Sequence, residues 1–284
     1  MTTSPSDVTE HRRSVEGVEH RWLERGDGRP VVLLHGIPTS AELWRHVMPL
    51  VDGAWLLAWE MPGYGRSWNV APGVDISVGA QAGRLLAWLD ELSIDRAVLV
   101  GHDLGGGVAQ IAAVSAPERC AGLVLTNSIA YDSWPIPEVK ALRAAGPLVE
   151  RLPGPLLRGQ LAVLTHMGHD DRDRARESLD VHWRGYDHGK GAAALLRQMR
   201  ALDCRDTEAV ASLLPRLEVP AALVWGVADR FQELDPYGRR LAADLGASVD
   251  EVQGAKHFTP EDHPERVAAA ITGLLNEPAA TYRQ

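Results

Sequence analysis

The sequence predicts an α/β fold with a mostly parallel central sheet, flanking helices and a helical insertion. Short apolar runs of strand length alternate with amphipathic segments of helical period. One apolar run, residues 98–101, leads through Asp103 directly into a helical segment that is rich in glycine. Residues 129–215 contain no strand-like run, and a stretch of this length is too long for a loop without structure of its own.

The individual elements follow from these patterns, because buried parallel strands are continuous apolar runs and surface helices carry one apolar face. Residues 1–10 are polar, and we expect a disordered tail there. The segment 11–23 alternates enough for one or two strands. Further strands are predicted at 31–34, 55–59, 98–101, 122–126, 221–226 and 249–252, and helices at 40–51, 78–92, from 105 onward, 237–245 and 264–275.

Two parts of the chain are predicted to have different architectures. Residues 1–128 and 216–284 form the sheet-containing core, and residues 129–215 form a helical cap. In open parallel sheets, ligands bind beyond the carboxyl ends of the strands. We therefore expect the cap to cover that edge and to enclose the site.

Composition and charge limit the kinds of molecule that the protein is expected to bind. The chain has 284 residues and a formal net charge of −9, which disfavours binding to nucleic acid or an anionic membrane. Two cysteines indicate no disulfide framework, and the N-terminal segment lacks the apolar stretch of a signal peptide. No apolar run has the length needed to cross a bilayer. We expect a cytoplasmic protein that acts on a small molecule; the sequence leaves its oligomeric state open.

Asp103 stands in the pattern small-x-Asp-x-small-small between a strand and a helix. That pattern is typical of a nucleophile elbow, a sharp turn that holds its central residue in a strained conformation and tolerates no bulky neighbours. A helix N-terminus also favours negative charge. The alternative is that Asp103 only caps the helix; the glycines around it favour the elbow.

Four segments together carry a family resemblance: His35–Gly–Ile–Pro38, the Gly–His–Asp–Leu–Gly–Gly stretch around Asp103, the Gly–Val–Ala–Asp that ends at Asp229, and Lys–His–Phe with His257. In this order they resemble the α/β-hydrolases with an aspartate nucleophile, the epoxide hydrolases and haloalkane dehalogenases. The resemblance covers roughly residues 20–278 and is weakest in the insertion. It implies the α/β-hydrolase fold and chemistry that needs no metal and no organic cofactor.

The resemblance also implies a role for each residue. Asp103 would attack an sp3 carbon and form an alkyl ester. His257 would then act as the general base for water, and Asp229 would orient the imidazole. The backbone N–H groups of Ile37 and Leu104 would stabilise the oxyanion.

Nearby residues offer alternatives to these assignments. Asp235 is a second acid close to Asp229, and His263 is a second histidine close to His257, although it stands where a helix begins. Glu60 replaces an aspartate that is common in the family's loop after the strand, and we expect it to brace the oxyanion loop.

The leaving-group site departs from the family pattern. Many haloalkane dehalogenases hold halide with a tryptophan after the nucleophile and an asparagine in the oxyanion loop, where this chain has Leu104 and Ile37. The segment 104–110 also lacks the arginines of fluoroacetate dehalogenases. Candidate halide contacts in the insertion are Trp134, His182 and Trp183.

Epoxide opening needs an acid for the departing alkoxide, and the family uses cap tyrosines for it. The insertion offers Tyr131 and Tyr186. The sequence therefore predicts an epoxide hydrolase first. A haloalkane or haloacid dehalogenase is the alternative, and a binding protein that keeps the scaffold without hydrolytic activity is the second alternative.

Overall fold

The structure, a computed structural model, describes residues 8–276. Its centre is an eight-stranded sheet. The strands are β1 (Thr9–Val15), β2 (Val18–Arg25), β3 (Arg29–Leu34), β4 (Ala54–Glu60), β5 (Ala97–Asp103), β6 (Cys120–Ser128), β7 (Ala221–Gly226) and β8 (Ser248–Val252).

The strands lie in the order β1-β2-β4-β3-β5-β6-β7-β8. The pairs β1–β2 and β2–β4 are antiparallel, and every later pair is parallel. The predicted mostly parallel sheet is confirmed. Because β5 is central and parallel to its neighbours β3 and β6, the carboxyl ends of all three meet at one edge, beside Asp103.

The helices pack around this sheet or lie between β6 and β7. They are α1 (Val78–Glu91), α2 (Leu104–Ser115), α3 (Pro137–Ala144), α4 (Gly146–Val149), α5 (Gly154–Gly168), α6 (Arg172–His182), α7 (Gly191–Arg200), α8 (Arg205–Ala211), α9 (Arg239–Leu245), α10 (Thr259–Asp262) and α11 (Pro264–Asn276). The segment from α3 to α8 contains helices and turns and no strand, and its residues are all described. It has an apolar cluster of its own, centred on Leu157, Leu161 and Leu196.

The helix predicted at 237–245 is confirmed, since Tyr237 lies in a helical turn, Leu234–Gly238, that continues directly into α9. Two other sequence predictions need correction. The helix predicted at 40–51 is a pair of 3₁₀ turns, Ala41–His46 and Met48–Leu50, because Pro49 has no N–H for a continuous helix. Of the predicted disordered tail, residues 1–7 lie outside the described residues, but Thr9 already begins β1.

Large aromatic side chains fill the core on both sides of the sheet. Trp59, Trp88 and Trp225 belong to the cluster on one side, and Trp44 belongs to the other. All four are fully buried, which is the ordinary role of tryptophan in a core. Among residues 8–276, no helix combines the length and the apolar character that a bilayer crossing requires.

Candidate active site

Asp103 occupies a sharp turn between β5 and α2. Its backbone angles are φ 50° and ψ −119°, outside the regions that a non-glycine residue normally adopts. A side chain at Gly105 would collide with the carbonyl of Leu34, and one at Gly101 would collide with the turn itself. The glycines are therefore required by close backbone approach, and the strained conformation predicted for the elbow is present.

The Asp103 carboxylate is buried and held by backbone N–H groups. Ile37 N–H donates to its Oδ2 at 2.9 Å, and Leu104 N–H also stabilises the carboxylate charge. Burial raises the pKa of Asp103, and the charge of His257 and the two N–H groups partly oppose this rise. Because Oδ2 is taken, Oδ1 is the oxygen available to a ligand.

His257 and Asp229 form a buried pair in the same site. His257 Nδ1 lies 2.8 Å from Asp229 Oδ2, and no described residue pairs with its Nε2. Burial lowers the pKa of His257, but the charges of Asp229 and Asp103 outweigh this, and the pKa is raised. The carboxylate therefore fixes the ring and stabilises its protonated form.

Asp229 is itself held in place by two further donors. Asn127 Nδ2 donates to Oδ2 at 2.7 Å, and Phe231 N–H donates to Oδ1 at 2.7 Å. The sequence analysis did not identify Asn127. Its position at the end of β6, between the strands that carry Asp103 and Asp229, is the feature from which it could have been predicted.

Asp235 and His263, the alternatives to Asp229 and His257, lie near the surface. Asp235 is exposed and pairs with Arg239. His263 lies 2.6 Å from Asp170 near the surface. The structure thus brings together Asp103, Asp229 and His257, and leaves Asp235 and His263 outside this group.

A cavity of about 90 Å³ opens above Asp103 and His257. Apart from these two residues, Gln232 and the Trp134 indole, its lining is apolar. The apolar part comes from the loops of the core and from α3, α5 and α7: Ile37, Pro38, Leu104, Ile129, Pro135, Ile136, Val139, Leu142, Leu161, Leu164, Leu195, Met199, Leu202, Phe231 and Phe258. The predicted helical segment therefore covers the site with aliphatic side chains.

The two tyrosines predicted as cap acids do not line this cavity. The Tyr186 hydroxyl is buried and donates to Gln198 Oε1 at 2.8 Å. The Tyr131 hydroxyl donates to Asp244 Oδ2 at 2.6 Å, with Arg240 over its ring. Both hydroxyl protons are engaged away from Asp103, so we correct the prediction that either tyrosine meets the leaving group.

The predicted halide contacts are also corrected. Trp134 lines the cavity, but its indole N–H donates to Thr207 Oγ1 at 2.7 Å. Trp183 lies on a separate surface depression beside Arg158. His182 is buried against Ser40 and Glu261, away from the cavity lining.

Glu60 lies where it supports the oxyanion loop. Its Oε2 accepts hydrogen bonds from Ala41 N–H at 3.2 Å and from Arg21 Nη1 at 2.7 Å. Burial raises its pKa to about 7 against the opposing charge of Arg21. The carboxylate thereby ties the segment after Ile37 to β2 and β4.

No group of three or more His, Cys, Asp and Glu side chains among residues 8–276 has an arrangement that could hold a metal ion. The residues around the cavity supply a buried carboxylate, an imidazole paired with a second carboxylate, and backbone N–H donors.

The chain is similar in sequence to proteins of two hydrolase classes. The chain is 29% identical over 263 residues to haloalkane dehalogenase 2 of Mycobacterium tuberculosis, which covers 88% of this chain and 89% of that protein. It is 26% identical over 279 residues to a soluble epoxide hydrolase of Corynebacterium, covering 92% and 95% of the two chains.

The fold also matches solved structures. An α/β hydrolase fold protein from Burkholderia ambifaria superposes with a TM-score of 0.85 at 26% identity, covering 96% of this chain and 99% of that one. The model of the alpha/beta hydrolase family matches residues 31–270. Because this match spans most of the chain, the protein belongs to the alpha/beta hydrolase family, and it is a hydrolase.

Proposed function

We propose that the protein hydrolyses small apolar molecules at an sp3 carbon through a covalent ester on Asp103. The observation that carries the proposal is the carboxylate itself. Its Oδ2 accepts the Ile37 N–H, its Oδ1 has no partner among the described residues, and it faces an apolar cavity. A carboxylate in this position attacks an alkyl carbon directly.

In the first step, Asp103 Oδ1 forms a bond to the substrate carbon while the bond to the leaving group breaks and its electron pair departs with that group. Ester formation removes the negative charge of Asp103. That charge is one of the contributions that raise the pKa of His257. The first step therefore lowers the pKa of His257 and prepares the imidazole to act as a base.

In the second step, His257 Nε2 takes a proton from water, and the water oxygen attacks Cγ of Asp103. The N–H groups of Ile37 and Leu104 stabilise the negative charge that develops on Oδ2. The bond between Cγ and Oδ1 then breaks, the alcohol leaves with the proton from His257, and the water oxygen stays on Asp103. The second proton of that water is then released from the carboxylic acid, which restores the carboxylate.

Haloalkanes are the first candidate substrate class. A halide departs without a proton, whereas an alkoxide requires an acid, and neither Tyr186 nor Tyr131 reaches the cavity. The curated relative from M. tuberculosis is named for this activity. No lysine or arginine among the described residues lines the cavity, so a haloacid fits less well, because only His257 could pair with its carboxylate beside Asp103.

Epoxides are the second candidate class, favoured by one observation. The pKa of His257 is raised, so a protonated His257 can supply the proton that an opened epoxide needs. The Corynebacterium relative is named as an epoxide hydrolase. This route predicts that epoxide opening slows as the pH rises through the pKa of His257, whereas the attack of Asp103 on a bromoalkane does not.

The mechanism is tested by separating the two steps with His257→Gln. This variant keeps the nucleophile and loses the base, so it is expected to accumulate an adduct whose mass equals the alkyl fragment. Intact-protein mass spectrometry followed by peptide mapping locates the adduct. Its presence on Asp103 supports the proposal; an unmodified variant, with a bromoalkane that the wild type consumes, contradicts it, because bromide departs without an acid.

A panel of bromoalkanes, chloroalkanes, haloacids and epoxides, scored by halide release and diol formation, identifies the class. A single turnover in ¹⁸O-labelled water adds an independent readout, because the first alcohol released must carry the unlabelled oxygen of Asp103. A protein that binds these compounds without forming any adduct would be a binding protein, and the mechanism would be wrong.

A further inference from the structure

Gln232 is the one polar side chain of the cavity lining, besides Asp103, His257 and the Trp134 indole, among the described residues. It lies three residues after Asp229, on the loop that follows β7, and only 3% of it is exposed. The mechanism above does not use it. A buried carboxamide in an apolar wall needs a reason, because an amide N–H without an acceptor costs free energy.

The carboxamide is fixed on one side only. Its Oε1 accepts a hydrogen bond from Ser133 Oγ at 2.7 Å. Ser133 Oγ in turn accepts from Ala130 N–H at 3.2 Å, so its single proton is directed to Gln232. The oxygen of the amide is thus held against the loop after β6, and its Nε2 donates to no described residue.

Hydrogen bonds also hold the backbone around Gln232 in place. Trp225 Nε1 donates to the Gln232 carbonyl at 2.9 Å, and the neighbouring Phe231 N–H donates to Asp229. Phe231 also packs edge-on against His257, with ring centroids 5.2 Å apart. The unpartnered N–H group is therefore a preorganised feature of the cavity wall.

Resting on the proposed function, we infer that Gln232 Nε2 is a specificity-determining donor for a neutral oxygen of the substrate, such as an ether, hydroxyl or carbonyl oxygen, at some distance from the carbon that Asp103 attacks. A neutral acceptor fits because an anion would meet the charge of Asp103, and no lysine or arginine among the described residues lines the cavity to balance it. The Trp134 N–H cannot serve, since Thr207 already accepts from it.

The topology places this donor beside the nucleophile. In the sheet, β5 lies between β3, whose following loop carries Ile37, and β6, beyond which lies β7. Ile37 and Gln232 therefore flank Asp103 from opposite sides, both on core loops. An in-line leaving group departs away from Asp103, toward the helices above it. The geometry points to a contact with the body of the substrate instead of the departing atom.

The test uses matched pairs of substrates with the full-length protein. Each ω-methoxy-bromoalkane is compared with the bromoalkane of equal chain length, and the number of carbons between bromine and oxygen is varied. The ratio of kcat/KM for ether over alkane is measured in the wild type, Gln232→Leu, Gln232→Met and Ser133→Ala. We expect the ratio at the best chain length to fall by about tenfold to 100-fold in both Gln232 variants.

Ser133→Ala removes the anchor and keeps the donor, so its ratio is expected to lie between those of the wild type and Gln232→Leu. An unchanged ratio in Gln232→Leu overturns the inference, provided that circular dichroism shows the variant folded. So does a change confined to the ratio of bromide to chloride substrates, since the amide would then face the leaving group.

A binding experiment separates this inference from the proposed function. Asp103→Asn cannot form the ester, and binding of the methoxyalkane to it by saturation-transfer NMR involves no chemistry. Binding that Gln232→Leu abolishes in this background, together with a His257→Gln variant that forms no adduct with a bromoalkane, would retain the inference and reject the proposed function. Adduct formation together with equal binding of ethers and alkanes would do the reverse.

Discussion

Two buried histidines, His257 and His169, pack against the ring of Phe258 and have opposite electrostatic surroundings. His169 stacks on the ring with centroids 4.5 Å apart, and His257 meets it edge-on at 4.9 Å. Both rings lie within the same small region, where the end of α5 meets the loop that carries His257. Their surroundings explain why one ring is suited to proton transfer and the other to structure.

Both nitrogens of His169 lie close to acidic side chains. Its Nδ1 lies 2.9 Å from Asp262 Oδ1, and its Nε2 lies 3.1 Å from Glu261 Oε2. Burial lowers the pKa of His169, but the two carboxylates outweigh it and raise the pKa to about 9. The ring is thus charged at neutral pH and has no nitrogen left for a substrate.

One nitrogen of His257 pairs with Asp229, and the other has no partner among the described residues. The backbone connects this ring to a buried charged cluster, which consists of His169, Glu261, Asp262, Arg45 and His182. The carbonyl of Gly168, the last residue of α5, accepts the backbone N–H groups of His257 at 2.9 Å and Phe258 at 3.1 Å. Glu261 also pairs with Arg45 and His182, which joins the core to α6. An imidazole with one nitrogen unpaired beside an apolar cavity can exchange protons, whereas an imidazole flanked by two carboxylates holds together the core and the helices that cover the cavity.

Removing Asp103, the proposed nucleophile, gives the largest expected effect and separates catalysis from stability. Asp103→Ala is expected to lower kcat by about 10⁴-fold or more, because no other described carboxylate lines the cavity. The unfolding free energy is expected to stay equal or to rise at neutral pH, since the folded state raises the pKa of this buried acid. Turnover assays and urea unfolding measure both. A near wild-type rate would exclude Asp103 as nucleophile.

A change in the buried charged cluster is expected to lower stability and to leave activity nearly unchanged, which is the opposite of the effect of Asp103→Ala. Glu261→Gln leaves Arg45 and His169 without their shared buried partner and is expected to destabilise the protein by about 3–5 kcal/mol. Activity per folded molecule is expected to remain within a few-fold. Urea unfolding and active-site titration with a bromoalkane measure the two quantities.

The matched control is Asp173→Asn, which breaks an exposed ion pair with Arg176. Its expected change in unfolding free energy is below about 0.5 kcal/mol. Equal effects of Glu261→Gln and Asp173→Asn would mean that the buried cluster does not hold the junction between α5, α6 and the core.

The pH dependence of stability distinguishes His169 from His257. The pKa of His169 rises from its usual value of 6.5 to about 9 on folding, so its stabilising contribution is complete below pH 6.5 and is lost as the pH rises through 9. The expected loss is on the order of 3 kcal/mol. Urea unfolding at pH 6 to 9.5 measures it.

His169→Gln is expected to flatten this slope, whereas His257→Gln retains most of it. The pKa of Glu261 is lowered by its partners despite burial, so its contribution is present at neutral pH and is lost only as the pH falls through that lowered value. A slope that survives in His169→Gln would assign the titration to another group.

The sequence predicted the site better than the region that covers it, and the reason is physical. Asp103 and His257 are placed by local features, a strand end and a turn, and both leave a pattern in consecutive residues. The same holds for the sheet, since parallel strands are apolar runs. Side chains of the helical segment are positioned by packing between distant elements, such as Tyr186 on Gln198, and no local pattern records that contact. Gln232 was missed because a single loop glutamine carries no periodic signal.

The smallest expected effect on catalysis concerns Tyr186, which was predicted from the sequence as a candidate acid for epoxide opening. Its hydroxyl donates to Gln198 Oε1, and Gln198 Nε2 donates to the Gly63 carbonyl at 2.9 Å. Tyr186→Phe breaks this chain and leaves a buried amide oxygen unpaired, which is expected to cost about 1–3 kcal/mol of stability. The rate of alkylation by epoxides and bromoalkanes is expected to change less than about twofold, because a catalytic acid would contribute at least ~100-fold.

Tyr131→Phe provides the control for this variant. Its hydroxyl bonds to Asp244, a quarter of whose side chain is exposed, so water replaces the lost partner and the cost in stability is smaller than that of Tyr186→Phe. Stopped-flow single turnovers with His257 intact follow the first step for both substrate classes, since His257→Gln would itself remove the acid that the epoxide route requires. A 100-fold slower epoxide reaction in Tyr186→Phe, with bromoalkanes unaffected, would show that this tyrosine leaves Gln198 and reaches the substrate. The helices over the cavity would then have to move during turnover, and His257 would no longer be needed as the acid for epoxide opening.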